Sequence, residues 1–263
     1  MIRALAIRSF REWTPAVVAA TLLMAAASGA AVAYYPVWEQ NTSVARSLVS
    51  YVPPGMEWVR DKVLATAFGG MEGWLAVHHH YKGLSLLGCI WAVLFGGCVL
   101  AREFETGTAS LLFSRPAPRW VVAGWLYAAG ACAAVLPAFL STLAVVPMAD
   151  RIGHTVAVVP LLRGASLAAS LLVLVYSYSF LFSALFDAQM RAVFWAGGVT
   201  MAMILLAVLT QAKRASLFYY FDPVVYGRLL QGGEFPWPLA LACLGGSAVL
   251  ALSALWIVSR RDC

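Results

Sequence analysis

Six stretches of this chain carry no Asp, Glu, Lys or Arg: 14–38, 83–101, 120–149, 164–186, 192–212 and 235–259. They are 25, 19, 30, 23, 21 and 25 residues long. A bilayer's hydrocarbon is about 30 Å thick and a helix rises about 1.5 Å per residue, so about 20 residues cross it. Each stretch is long enough for one crossing and too short for two. A spanning β-strand would need about ten residues alternating apolar and polar, and the runs 171–176 and 201–208 do not alternate. The expected fold is an all-α integral membrane protein with six transmembrane helices, forming one transmembrane domain over 1–263.

Composition agrees with lipid burial. The chain is 62% apolar and 11% charged, whereas a soluble domain carries about a quarter charged residues to coat its surface. A core this apolar with so thin a coat would aggregate in water. Disorder and a disulfide-stapled scaffold are excluded too, because apolar content is high and only five Cys are present.

The charges orient the chain. With the N-terminus cytoplasmic, inner segments carry nine Lys/Arg in 40 residues and outer segments nine in 80. Basic density is thus twofold higher inside. Arg3, Arg8 and Arg11 precede the first span, and no further basic residue follows until Arg46. Both termini are expected in the cytoplasm, the chain being a multi-pass protein of the cytoplasmic (inner) membrane.

Arg3, Arg8 and Arg11 ahead of an apolar run and Ala31-Val32-Ala33 have the outline of a cleavable leader. The run exceeds the 7 to 15 residues of an h-region, so a first span is expected instead. Helical projection of 2–13 sets Leu5, Phe10 and Trp13 to one side and the three Arg mostly to the other. That pattern predicts an interfacial helix on the inner leaflet, turning into the membrane at Pro15.

Cysteine and histidine offer no clear metal or redox centre. Cys89, Cys98, Cys132 and Cys243 fall in predicted spans and Cys263 ends the chain, with no CxxC. Cys89 and Cys98 are nine apart, about half a turn out of phase, so core packing is the simpler reading. His78-His79-His80 would point three ways on a helix and cannot all serve one ion. One of them with His154 remains open as a metal or haem site, against interfacial histidines that simply meet water.

Nucleophilic catalysis is unsupported, since no GxSxG occurs and the acids lie at span edges. Ser166, Ser170, Ser177 and Ser179 read as hydrogen-bond partners between helices. No Asp, Glu, Lys or Arg sits near the middle of a span, although ion-coupled carriers generally need such groups. Nor can this chain draw on ATP alone. A P-loop requires Gly-Lys followed by Ser or Thr, whereas the three lysines, Lys62, Lys82 and Lys213, follow Asp61, Tyr81 and Ala212. The chain is not expected to be an enzyme; any ATPase is a partner.

The connection between the second and third spans is the most specific segment. It contains Arg102, Glu103, Glu105, Gly107, Thr108, Leu111, Leu112, Phe113, Arg115, Pro116, Pro118 and Arg119. Gly107 suits the left-handed residue that ends a helix, and Thr108 the N-cap of the next. Leu111 to Phe113 would ride on a short helix stopped by Pro116, and Pro118 can open the third span. The product is a cytosolic elbow whose apolar face needs a docking partner.

This segment resembles the cytoplasmic loop of the ABC type-2 permeases, membrane subunits of one class of ATP-binding-cassette exporters. Their pattern is E-x-E-x-G-T-x-x-x-L-L-x-x-P-x-x-R. Glu103, Glu105, Gly107, Thr108, Pro116 and Arg119 match it, and Leu111-Leu112 sits one residue early. The run from Phe68-Gly69-Gly70 to Trp74-Leu75, the closing Ser259-Arg260-Arg261-Asp262 and the six-span layout also look like the family. The resemblance implies a homo- or heterodimer of permease subunits, each resting its elbow on a nucleotide-binding ABC ATPase subunit that holds ATP and Mg, with no cofactor in this chain. It implies Glu103, Glu105, Arg115 and Arg119 as polar contacts to that ATPase, Gly107 and Thr108 as shapers of the corner, Pro116 as its stop, and Leu111, Leu112 and Phe113 as the docked face. The simpler alternative is that these charges only mark the membrane edge.

Two outer segments remain. Residues 57–68 place Trp58, Val59, Val63 and Ala67 at helical spacing, an amphipathic helix on the outer leaflet. Between the fifth and sixth spans, Phe218, Tyr219, Tyr220 and Phe221 lie among Pro and Gly. An aromatic belt is the simpler reading, but in similar permeases short re-entrant helices cap the outer mouth here, so an outer gate stays open. Asp187 and Arg191 flank the fourth-to-fifth turn and could form a second cytosolic contact or a membrane-edge ion pair, the ion pair being preferred. The expected function is export of a hydrophobic or amphipathic substrate (drug, lipid or peptide), in contact with membrane lipid and no nucleic acid. Two alternatives stand beside it: an ABC-type membrane factor for maturation or assembly of an extracytoplasmic metalloenzyme, and a haem- or metal-bearing membrane oxidoreductase.

Overall fold

Helix is the only way a single segment satisfies its own backbone polar groups in lipid, and the chain is helical accordingly. The computed structural model describes residues 2–43, 47, 51, 64, 68–114, 117–208 and 213–261. Among these there is no strand, and six helices are long and apolar enough to cross a membrane. The first is α1 (Ile2–Gln40). The second is composite: α2 (Gly70–Leu75), a π-helix (Ala76–Leu87), α3 (Gly88–Cys98) and α4 (Ala101–Glu105). The short α5 (Ala109–Phe113) leads to α6 (Arg119–Arg151), α7 (Val158–Leu185) and α8 (Gln189–Val208). A single 3-10 turn (Lys213–Ala215), α9 (Leu217–Tyr220) and α10 (Pro223–Leu230) precede the last span, α11 (Trp237–Arg260).

The bundle is built around α7, which packs against α3, α6, α8 and α11. Its Leu167, Leu171, Leu172, Tyr176 and Phe180 are fully buried. Small residues let backbones approach, as is usual where lipid gives no hydrophobic drive between helices. At Gly96 of α3 an added Cβ would lie 2.9 Å from the Ser179 Cβ and 3.0 Å from the Tyr176 ring. Ser177 meets Tyr127 Oη across helices at 2.7 Å, whereas Ser166 and Ser179 donate to Leu162 and Val175 carbonyls in their own helix.

The structure changes two expectations. First, no turn occurs at Pro15. The 39 residues of α1 run unbroken, about 58 Å and nearly twice the hydrocarbon thickness. Thr14 donates to the Phe10 carbonyl beside the proline, the kind of local compensation that lets proline persist in spanning helices. The 2–13 segment is thus the end of α1, with Trp13 edge-on to Phe95 at 5.3 Å. Second, the helix holding the second uncharged stretch begins at Gly70, so His79 and His80 are buried in the bundle and His78 is half-buried, where interfacial histidines meeting water are the simpler expectation. Residues 57–68 fall almost wholly outside the described residues.

Candidate functional site

The elbow begins where the helix ladder fails at Val99 and Leu100. The freed N–H groups of Leu100 and Ala101 both donate to Ser183 Oγ of α7, at 2.9 and 2.7 Å. That one hydroxyl fixes the start of α4 on the central helix. Six residues after Ala101, Gly107 adopts φ +72°, the left-handed conformation glycine permits, and reverses the chain into α5.

Thr108 stands at the N-cap, but its hydroxyl does not cap α5. It donates to Glu103 Oε2 at 2.6 Å. Arg8 of α1 donates to the other oxygen, Oε1, at 2.7 Å, and also to Glu12 Oε1 at 2.8 Å. Glu103, 12% exposed, is therefore an internal tie between α1 and the corner. Glu105 Oε2 accepts from the Gln189 backbone N–H at 2.9 Å and its side chain at 3.0 Å, holding the first turn of α8. An acidic group at a helix N-terminus is favoured by the dipole as well.

Arg119 donates to the Arg261 carbonyl. Arg261 in turn donates to the Ala184 carbonyl at 2.6 Å, pairs with Asp187 and lies 3.9 Å over the Phe104 ring. Asp187 therefore pairs with Arg261 and not with the expected Arg191, one turn further on. Arg8 of α1 and Arg261, just after α11, thus both reach the elbow.

Of the expected docked face, only Leu111 faces out, at 71% exposure. Leu112 and Phe113 are 2% and 6% exposed and pack inward, Phe113 stacked on Phe104 at 6.4 Å. A five-residue helix has one outward side, and here Ser110, Leu111 and Ser114 occupy it. Glu103 and Arg119 are likewise engaged within the chain. Arg115 and Pro116 lie outside the described residues, as does the side chain of Arg3; Arg11 is exposed on α1. Ser183, Gln189 and Arg261 anchor this site from distant stretches of the chain, and no sequence pattern ties any of them to the elbow.

At the far end of the bundle, the aromatic run splits. Phe218 and Phe221 are buried, Tyr219 is half-buried, and Tyr220 faces outward, donating to the Arg214 carbonyl at 3.2 Å. Ser216 caps α9 and Asp222 caps α10, accepting from Phe218 and Val224 N–H groups. Two short capped helices thus bridge the fifth and sixth spans.

The histidines point three ways. His78 stacks on Trp74 at 3.8 Å, and the ring nitrogens of His79 and His80 all lie against protein oxygens. His154 lies 3.5 Å from Glu39. Among the described residues no three His, Cys, Asp or Glu side chains gather as metal ligands would.

Six helices long and apolar enough to cross a membrane, with a fastened elbow at one end, make this a multi-span membrane protein. The chain belongs to the ABC-2 family: the family model for ABC-2 family transporter proteins matches residues 6–223. It is thus the membrane subunit of an ABC transporter. No curated protein and no solved structure matches the chain.

Proposed function

We propose that this chain is the permease of an ATP-driven exporter, moving a hydrophobic or amphipathic substrate across the cytoplasmic membrane while a separate ATPase subunit, carrying ATP and Mg, docks at the elbow. The observation that carries this reading is Leu111. It is a large apolar side chain standing in the open on a helix whose other face is locked in the core. An exposed apolar knob rimmed by Ser110 and Ser114 fits a pocket on a partner.

The fastening makes such a contact useful. Force on α5 passes to α1 through Glu103 and Arg8, to α8 through Glu105 and Gln189, and to α7 through Ser183. A partner that moves Leu111 would therefore move several spans together. In this reading the elbow end is cytoplasmic, and a second permease subunit completes the transporter.

A cleft of about 900 Å³ near the far end supports an amphipathic cargo. Val135, Phe139 and Leu244 are among its apolar walls, and Arg163 and Glu234 are among its charged members. Purification in mild detergent should recover a Walker-bearing ATPase with the wild-type chain and not with Leu111→Asp. Recovery of the chain alone, or equal recovery with both, rejects the docking assignment.

A further inference from the structure

Two cavities meet at the elbow end of α1. The first, about 310 Å³, lies among α1, α3, α4 and the start of α8, and Arg8, Glu12, Trp91, Arg102 and Gln189 are among its lining residues. The second, about 510 Å³, is an almost wholly apolar groove between α1 and α6, where the small Ala129 and Ala133 leave room beside Val17, Leu22, Trp125 and Leu140. The two share Ser9 and Trp13.

Polar groups on these walls lack partners. Ser9 is 5% exposed, yet its hydroxyl makes no hydrogen bond among the described residues. The indole N–H groups of Trp91 and Trp125 are buried and equally unpaired, one on the wall of each cavity. Buried polar groups nearly always find a partner in a folded protein, and within a bilayer no bulk water supplies one. Thr14 and Thr21, also on the groove, show the usual solution by donating to the Phe10 and Val17 carbonyls of their own helix.

The first cavity also holds a cation and an anion that do not answer each other. Arg102 is exposed on α4 and makes no ion pair among the described residues. Glu12 gives Oε1 to Arg8, and its Oε2 accepts no hydrogen bond among the described residues. An anionic ligand here would face Glu12 and Glu103, and a cationic one would face Arg8 and Arg102. A zwitterion, with a phosphate for Arg102 and a primary ammonium for Glu12, complements both signs. The groove supplies the apolar half of such a ligand. From Ser9 to Leu22 it runs about 20 Å along α1, and one leaflet's hydrocarbon is about 15 Å deep.

We propose that the two cavities form one site for a resident phospholipid with an ethanolamine headgroup, taken from the leaflet at the elbow end. One acyl chain lies in the α1–α6 groove. Ser9 and Trp125 donate to its ester and phosphate oxygens, Arg102 holds the phosphate, and Glu12 receives the ammonium. The headgroup then ties α1 to α4 beside the Arg8–Glu103 pair, so the lipid becomes part of the fastening of the elbow. This lipid is not cargo: neither cavity shares a lining residue with the larger cleft of Val135, Phe139 and Arg163.

The test strips the full chain of lipid in mild detergent and titrates it with phosphatidylethanolamine, phosphatidylcholine and phosphatidylglycerol, counting bound lipid by native mass spectrometry. One phospholipid per chain is expected, with the ethanolamine lipid held about tenfold more tightly than the other two, the value of one hydrogen bond to a charged group. Arg102→Gln should weaken all three lipids about tenfold. Glu12→Gln should erase the preference for ethanolamine over choline and leave choline-lipid binding as it was. Cys132→Trp, which fills the groove from its exposed side, should abolish binding. Each variant is compared with the wild type by helix content and lipid-free unfolding midpoint, so that loss of fold is seen as such. No lipid bound by the stripped chain, phosphatidylglycerol bound as tightly as phosphatidylethanolamine, or variants that bind like the wild type would each overturn the proposal. So would an oxidative cross-link between the Cys132 residues of two chains in the membrane, since a second copy would then cover the groove.

Discussion

Thr108 gives its hydroxyl hydrogen to Glu103 Oε2 at 2.6 Å, so the residue after the corner glycine closes the elbow onto the helix before it. Arg8 takes the other carboxylate oxygen. Glu103→Ala should therefore release two elements at once, the corner and the end of α1. The carboxylate is mostly buried and its hydrogen bonds are charge-assisted, so the expected loss is about 2 kcal/mol. Thermal unfolding of the purified protein measures it, with Glu103→Gln as a control that can keep part of both bonds. An unchanged midpoint for the alanine variant would refute the role of this carboxylate as a tie.

Leu111 and Leu112 are neighbours with opposite surroundings, and their alanine variants should separate. Leu112→Ala empties a core position and is expected to cost about 2–5 kcal/mol of stability. Leu111→Ala removes a side chain that touches little of its own chain. It should leave the unfolding midpoint in place and lower recovery of the ATPase subunit, with a loss of at least 1 kcal/mol if it is an interface anchor. Equal destabilisation by both variants would show that Leu111 is a packing residue after all.

The spans are legible in the sequence because lipid forbids charge over about 20 residues, and Lys, Arg, Asp and Glu therefore punctuate the chain. Gly107 is legible for a similar reason, since few other residues accept its left-handed backbone. The partners of the elbow charges are not. Arg8 lies 95 residues from Glu103, and Gln189 lies 84 from Glu105, and no local pattern encodes such pairings. A mixed-charge loop reads as a surface for a partner, whereas here Glu103, Glu105 and Arg119 are used first to fasten the loop to the bundle.

The histidines mislead for a different reason. Lys82 is exposed and marks the last charge before the second uncharged stretch, so the histidines before it read as interfacial residues that meet water. A π-helix buries His79 and His80 three and two residues from that lysine. Hydropathy has no term for a helix that continues past a charge, and neither residue's hydrogen-bond partners from α1, α6 and α7 are near it in sequence.

Close packing at Gly96 gives a third prediction. An added methyl would meet Tyr176 and Ser179 of α7 within about 3 Å, and Tyr176 is fully buried with no room to withdraw. Gly96→Ala should push α3 from α7 at a cost of about 1–3 kcal/mol. Gly198→Ala serves as the comparison, since nothing lies within 4 Å of its added Cβ. Equal unfolding midpoints for the two variants would contradict the close approach.

Ser183 tests whether the elbow is fastened to the central helix. Its hydroxyl oxygen receives the Leu100 and Ala101 N–H groups, which have left the helix ladder and lie in a buried position. In Ser183→Ala both donors lose their acceptor where water is scarce, at about 1–3 kcal/mol for each unsatisfied group. Ser183→Cys keeps a weak acceptor and should fall between. The distinctive readout is local, because hydrogen exchange at 99–105 should rise in the alanine variant while the interior of α7 stays protected. A uniform rise across the bundle would mean that Ser183 contributes only to general packing, and that the break at Val99 and Leu100 is held by something else.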